Sequence, residues 1–192
     1  MQFDSATFVA FFAALLIAYA LTPGWSARKN WLLAASWFFY ASWNPWFLPL
    51  LIGSASLDWW MALRMDRAQG RARRAWLAAT VCINLLVLGY FKYIGFLADN
   101  LNTLLASAGL RVLAPEHSIV LPIGISFYTF HSLSYCIDVY RRKFPPTHRW
   151  RDYALYVAFF PQLVAGPIVR WTFMREQIEH PHRLRDIERL AD

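Results

Sequence analysis

A chain of 192 residues that is 58% hydrophobic, 18% aromatic and 16% charged holds more apolar surface than a soluble domain of its size buries, since soluble domains run near 45–50% apolar and about 25% charged. With a mean hydropathy of +0.31, it reads as integral to a membrane. The net charge of +7 would point to nucleic acid in a soluble protein, but here the charges fall between apolar runs, where they set orientation across a bilayer, so no nucleic-acid partner is expected.

Six apolar runs, 7–22, 31–43, 46–63, 76–97, 119–140 and 153–169, predict an all-α polytopic membrane protein, because about 20 apolar residues in a helix cross a ~30 Å hydrocarbon layer. The first run ends in Ala18-Tyr19-Ala20, which resembles a signal-peptidase site. Its leading residues, Met1-Gln2-Phe3-Asp4, lack Lys and Arg, so it reads as a retained span. The second run is short, and Asn44-Pro45 reads as a tight turn joining it to the third as a hairpin of short helices. One broken helix is the alternative. Lys92 lies inside the fourth run and either snorkels along its stem or faces a cavity. Residues 98–118 read as a loop.

Twelve of the 19 basic residues fall in three clusters: Arg28-Lys29, then Arg64, Arg67, Arg71, Arg73 and Arg74, then Arg141, Arg142, Lys143, Arg149 and Arg151. All three share one side only if the chain crosses twice between the first two, which the hairpin supplies. That side is the cytoplasm, with the N-terminus outside. Trp25, Trp31, Trp43, Trp46, Trp59, Trp60, Trp76, Trp150 and Trp171 stand at or near run ends, as an interfacial belt would. Cys82 and Cys136 lie within apolar runs and have neither CxxC spacing nor a Cys/His neighbour, so no disulfide and no metal site is expected.

Polar groups at membrane depth are the functional candidates. In 119–140, Tyr128, His131 and Tyr135 share one helical face, and Thr129, Ser132 and Cys136 form a neighbouring face of small groups suited to close packing. His131 reads either as a general base or as an interior histidine, with Tyr128 and Tyr135 at hydrogen-bonding spacing. Asp138 lies within a turn of Arg141 and Arg142, the spacing of an interfacial ion pair. The last run reads V-A-F-F-P-Q-L-V-A-G-P-I-V-R. Pro161 and the pair Gly166-Pro167 break a helix, and broken backbone at membrane depth is tolerated where it is buried in protein or lines a chamber. Gln162 and Arg170 are then candidates to line that chamber. An arginine there suits an anionic ligand; at the interface it holds lipid headgroups or carbonyls instead. Residues 1–171 form the membrane domain. Residues 172–192 turn polar, with an apolar stripe at Leu184, Ile187 and Leu190 and no capping residue, and read as the helical start of a continuation.

The stretches L-P-I-G-I-S-F-Y-T-F-H-S-L-S-Y-C-I-D-V-Y-R (121–141) and Y-V-A-F-F-P-Q-L-V-A-G-P-I-V-R (156–170) closely resemble the membrane-bound O-acyltransferase family. The nearest branch is the bacterial one, the alginate O-acetylases and D-alanyl-lipoteichoic-acid transfer proteins. N-W-L-L-A-A-S-W-F-F-Y-A-S-W-N-P-W-F-L and Y-F-K-Y-I-G-F look like the same branch, so the resemblance covers essentially the whole chain. It implies a ring of helices around a tunnel in the bacterial inner membrane. An acyl donor enters from the cytoplasmic side as co-substrate and a hydroxyl acceptor on a polysaccharide from the other. No bound cofactor is implied, and accessory acetylation proteins are the further expected partners. The family's general-base histidine lies well downstream, beyond Asp192. His131 stands where relatives carry glutamine, so the resemblance gives it no catalytic role. The reading that follows is the N-terminal portion of a polysaccharide O-acyltransferase, inactive alone. A transporter subunit lined by the broken helix and a non-catalytic membrane remnant are the alternatives.

Overall fold

The computed structural model describes residues 4–109, 120–167 and 169–180. Among them the chain is helical: α1 (Ala6–Leu21), α2 (Trp25–Ala41), a 3-10 turn (Pro45–Phe47), α3 (Leu48–Arg67), α4 (Gly70–Ser107), α5 (Ile125–Tyr140), α6 (Trp150–Ala158), α7 (Phe160–Ala165) and α8 (Trp171–Glu179). No strand occurs among the described residues. α3 packs on both α4 and α5, α4 packs on α5, and α6 lies against α2, α3, α5 and α8.

Two elements are long and apolar enough to cross a membrane, Pro45–Arg67 and Gly70–Ser107. The other runs are divided into helices of 6–17 residues. Large apolar side chains stand exposed along α1 (Val9, Leu16, Ile17) and α4 (Leu86, Phe96, Leu104), faces that suit lipid rather than water.

The turn at Asn44-Pro45 forms as expected. Asn44 takes an extended conformation and its side chain accepts from the Trp46 amide at 3.0 Å, so the chain ends α2 and begins α3 without one continuous helix. Residues 98–107 are not loop. α4 runs on to Ser107, because nothing in A-D-N-L-N-T-L-L-A-S interrupts a helix until Gly109, which adopts φ +73°. Lys92 stands exposed on α4 with its ammonium 5.5 Å from the Tyr93 ring centroid.

The three basic clusters meet at one end of the bundle, and several of their members are buried or bonded there, among them Lys29, Arg73 and Arg151. Lys29, at the start of α2, is 1% exposed and donates to Asp152 Oδ1 of α6 at 2.6 Å. Arg151 donates to the Ser26 hydroxyl at 2.8 Å and to Asn30 Oδ1 at 3.0 Å. Arg73, at the start of α4, donates to the Val139 and Tyr140 carbonyls at 2.7 and 3.2 Å and to the Met65 and Asp66 carbonyls at 3.3 and 3.4 Å. One guanidinium thus caps the C-termini of α5 and α3 together, where a cation also offsets two helix dipoles. These residues therefore hold the fold as well as carry charge.

α5 ends in a left-handed turn. Arg142 takes φ +57°, and the Lys143 and Arg142 amides donate back to the Asp138 and Val139 carbonyls. That pattern is a Schellman motif with arginine at the glycine position. It folds Lys143 over Asp138, and their ion pair measures 2.8 Å. Asp138 therefore pairs with Lys143 and not with Arg141 or Arg142, both exposed.

The last apolar run is broken twice. Phe159 (φ −57°, ψ 110°) separates α6 from α7, because Pro161 has no amide to donate to the Val157 carbonyl and its ring would clash there, whereas the first turn of a new helix tolerates it. The Phe160 amide left over by the break donates to Ser36 Oγ of α2 at 3.3 Å. α7 then stops at Gly166. A Cβ there would stand 2.6 Å from Gln162 Cα, too close for the backbone to keep its path. Gly166→Leu is expected to displace this turn and lower stability by about 1–3 kcal/mol, the usual cost of overpacking. An unchanged unfolding midpoint in detergent would refute the tight turn.

The stripe expected at Leu184, Ile187 and Leu190 lies outside the described residues, as do residues 110–119. Trp171 departs from the interfacial belt. It is 1% exposed, because its ring packs edge-on against Tyr156 at 5.3 Å and Tyr135 at 5.6 Å.

Candidate functional site

The interior where α3, α4, α5 and α6 meet is polar along one line. Asn84 of α4 donates to Asp58 Oδ1 of α3 at 2.6 Å. Ser132 of α5 lies beside that carboxylate and accepts the Tyr153 hydroxyl of α6 at 3.0 Å. Asp58, Asn84, Ser132 and Tyr153 are all buried. A hydrogen bond between helices in an apolar setting fixes their register, so this line ties four helices at one level. Small groups make the approach possible. Thr129, Ser132 and Cys136 are buried, and Cys136 Sγ sits 3.9 Å from the Asp58 carbonyl.

Several buried polar atoms have no hydrogen-bond partner among the described residues, among them Tyr40 Oη, Tyr128 Oη, both ring nitrogens of His131, Gln162 Oε1 and Asp58 Oδ2. His131 is fully buried and its ring meets Tyr156 edge-on at 5.3 Å. The Phe127 carbonyl, one turn back, lies near the imidazole but outside bonding geometry. Tyr135 does not serve His131, whose ring nitrogens have no partner among the described residues; the Tyr135 hydroxyl accepts the Thr147 amide at 2.9 Å instead. Tyr156 spends its hydroxyl on the Val169 carbonyl at 3.0 Å, at the broken segment. Buried polar groups are ordinarily paired, so such a concentration in one interior marks a place where function outweighs packing.

The candidates from sequence divide accordingly. His131 and Tyr128 lie in this interior, side by side on α5. Gln162 is half-buried on α7, with its Nε2 3.0 Å from Met174 Sδ. Asp138 sits at the basic end in its pair with Lys143. Arg170 occupies the N-cap position of α8 with an exposed side chain that makes no capping hydrogen bond. Pro161 and Gly166 shape the two breaks, and exposed Pro167 follows the second. Asp58 and Asn84 lie outside those candidates. The signal for Asp58 is a lone carboxylate deep in run 46–63; Asn84 offers a single amide in run 76–97 and nothing that ties the two together. Among the described residues no group of three or more His, Cys, Asp or Glu is placed to hold a metal.

An all-helical fold with two helices long and apolar enough to cross a membrane, a hydrophobic run broken twice and a polar interior fit the class of helical membrane proteins. Comparison with known proteins carries this further. The chain is 42% identical over its whole length to the probable alginate O-acetylase AlgI of Pseudomonas aeruginosa and 41% identical to that of Azotobacter vinelandii, spanning 37% and 38% of those proteins. It is 36% identical to the peptidoglycan O-acetyltransferase of Helicobacter pylori, with 86% of this chain and 35% of that protein matched. These relatives bear out the resemblance to the membrane-bound O-acyltransferase family, and the chain spans little more than a third of their length. No family model matches it, and no solved structure does.

Proposed function

We propose that this chain forms the N-terminal portion of an O-acyltransferase that moves an acyl group, in the first instance acetyl, onto hydroxyls of an extracytoplasmic polysaccharide such as alginate. The observation that carries the reading is similarity along the entire chain to proteins named as O-acetylases of two cell-surface polymers. The buried groups contribute positioning and electrostatics: hydroxyls and an imidazole facing one interior, beside backbone opened by Pro161 and Gly166. The general base comes from the remaining length of the complete protein, because His131 lacks a carboxylate to orient it. The acyl donor enters as a co-substrate, and accessory acetylation proteins complete the system.

The same reading sets the membrane arrangement at about six crossings in a bacterial inner membrane, with the N-terminus outside. The meeting of all three basic clusters at one end of the bundle supports placing that end in the cytoplasm.

The test joins residues 1–180 to the remaining two thirds of the Pseudomonas aeruginosa relative and returns the chimera to a strain lacking that protein. Acetyl esters on the exported alginate, read by proton NMR, are expected from the chimera and absent with the 192-residue chain alone. A membrane-inserted chimera that restores none would overturn the reading. In the same background His131→Gln is expected to leave ester content within about twofold, since an amide keeps the ring's bulk and polarity. A loss of a hundredfold or more, the scale of a missing general base, with the protein still inserted, would assign His131 the chemistry.

A further inference from the structure

One face of α3 grades along its length from apolar to aromatic to cationic. Leu50, Gly53, Leu57, Trp60, Arg64 and Arg67 follow one another at spacings of three and four, so they form a single stripe. From Gly53 onward every one of them is exposed. α4 supplies the facing wall. Trp76 meets Trp60 edge-on with ring centroids 5.4 Å apart. Further from the basic end, Ile83 and Val87 join Leu50, Gly53 and Leu57 around an apolar cleft of about 250 Å³. At the other end the Arg64 guanidinium lies 5.1 Å from the Trp60 ring centroid. Neither Arg64 nor Arg67 makes an ion pair or a side-chain hydrogen bond among the described residues, and Asp66 falls on a different face of the helix. Two cations thus stand without counter-ions above an aromatic ledge, with a greasy slot beneath it.

We infer that this stripe binds one anionic phospholipid from the leaflet at the basic end: phosphate on Arg64 and Arg67, glycerol esters against Trp60 and Trp76, and one acyl chain running into the cleft. The order matches a phospholipid's own order of chemistry, since amphipathic rings settle at the boundary between headgroup and chain. The length matches as well. The rise from Leu50 to Arg64 is about 21 Å at 1.5 Å per residue, and one leaflet with its headgroups is about 20–22 Å thick. Two unpaired guanidiniums select a headgroup of net negative charge, whereas a choline or ethanolamine head brings an ammonium that they repel. The inference rests on the membrane placement proposed above and is independent of the acyl transfer.

The test titrates the complete protein in detergent with phosphatidylglycerol or with phosphatidylcholine of the same chains, and counts bound lipids by native mass spectrometry, which needs no turnover. The first phosphatidylglycerol is expected to bind about tenfold more tightly than phosphatidylcholine, the scale of one charge-assisted contact. Arg64→Gln with Arg67→Gln should weaken it about thirtyfold, the scale of two arginines at an anionic surface. Arg64→Lys with Arg67→Lys, which keeps the charge, should recover most of that loss. Arg141→Gln with Arg149→Gln removes two exposed charges from the same end of the bundle and should change the affinity by less than about twofold, since both lie off the stripe. Gly53 has nothing within 4 Å of its would-be Cβ, so Gly53→Phe fills the cleft without a clash. That variant is expected to lose the preference for hexadecanoyl over hexanoyl chains and to keep the preference for phosphatidylglycerol. Equal affinity for the two lipids, equal losses in the two Arg→Gln pairs, or a chain preference untouched by Gly53→Phe would each overturn the site. So would a monodisperse protein that retains no lipid, which would mean that another helix of the complete protein covers the stripe. A protein that stays in solution without detergent would overturn the membrane placement itself.

Discussion

Asp152→Ala is expected to cost about 3–5 kcal/mol of stability, because it leaves the Lys29 ammonium buried without its counter-ion. Lys29 and Asp152 are each 1% exposed and 2.6 Å apart, so neither partner can turn to water without opening the contact between α2 and α6. Arg151 also reaches this carboxylate, its Nε 3.5 Å from Asp152 Oδ1, but a second cation cannot replace the charge that Lys29 loses. Lys29→Ala should be the milder change, since Arg151 remains beside Asp152. The double variant Lys29→Met with Asp152→Leu is the discriminating one. A buried pair replaced by apolar groups of similar size is often neutral or stabilising, so this protein should regain most of the loss. Unfolding in detergent, followed by tryptophan fluorescence, checks all three. Single variants within 1 kcal/mol of the parent would show that the pair is solvated in the membrane protein.

Gly124→Ala is expected to cost about 2–5 kcal/mol, and two separate causes add. Gly124 sits at φ +74° at the head of α5, a region that costs a residue with a Cβ about 1–2 kcal/mol. A Cβ built there would also stand 2.6 Å from the Leu163 carbonyl oxygen and 3.1 Å from its Cγ, and backbone of α7 has to move to admit it, at the ~1–3 kcal/mol typical of overpacking. Gly89→Ala is the control. Gly89 lies inside α4 with nothing within 4 Å of its would-be Cβ, so that change should be neutral or stabilise by about 0.5–1 kcal/mol. Melting temperature and protease cleavage near 159–166 report the two outcomes. Equal behaviour of the two variants would refute the contact between the head of α5 and α7.

These two contacts also measure what the linear sequence conveys. Asn44-Pro45, Pro161 and Gly166 act on their own neighbours, through a missing amide, a fixed φ or a side-chain acceptor, so their effects are readable in place. The fold class follows from composition for the same reason. Lys29 and Asp152 are 123 residues apart, and nothing local tells a lysine that orients a span from one that pins two helices. Arg73 carries the same ambiguity. Asp58 announces itself as a carboxylate in an apolar run, but its meaning depends on Asn84, Ser132 and Tyr153 arriving from three other helices. Trp171 shows the limit from the other direction: a ring at the end of a run suits an interface, and only the packing of Tyr135 and Tyr156 draws it inside. The extension of α4 beyond residue 97 was legible in the absence of Gly and Pro, yet falling hydropathy hides it, because a helix leaving lipid loses its apolar pattern before it loses its hydrogen bonds.

That long helix has a mechanical corollary. Its 38 residues reach about 57 Å at 1.5 Å per residue, against a hydrocarbon layer of ~30 Å. A crossing by this helix therefore has to tilt or to leave part of its length outside the lipid. A displacement at Ser107 would be carried along one unbroken rod to the helix ends that Arg73 clasps at its foot.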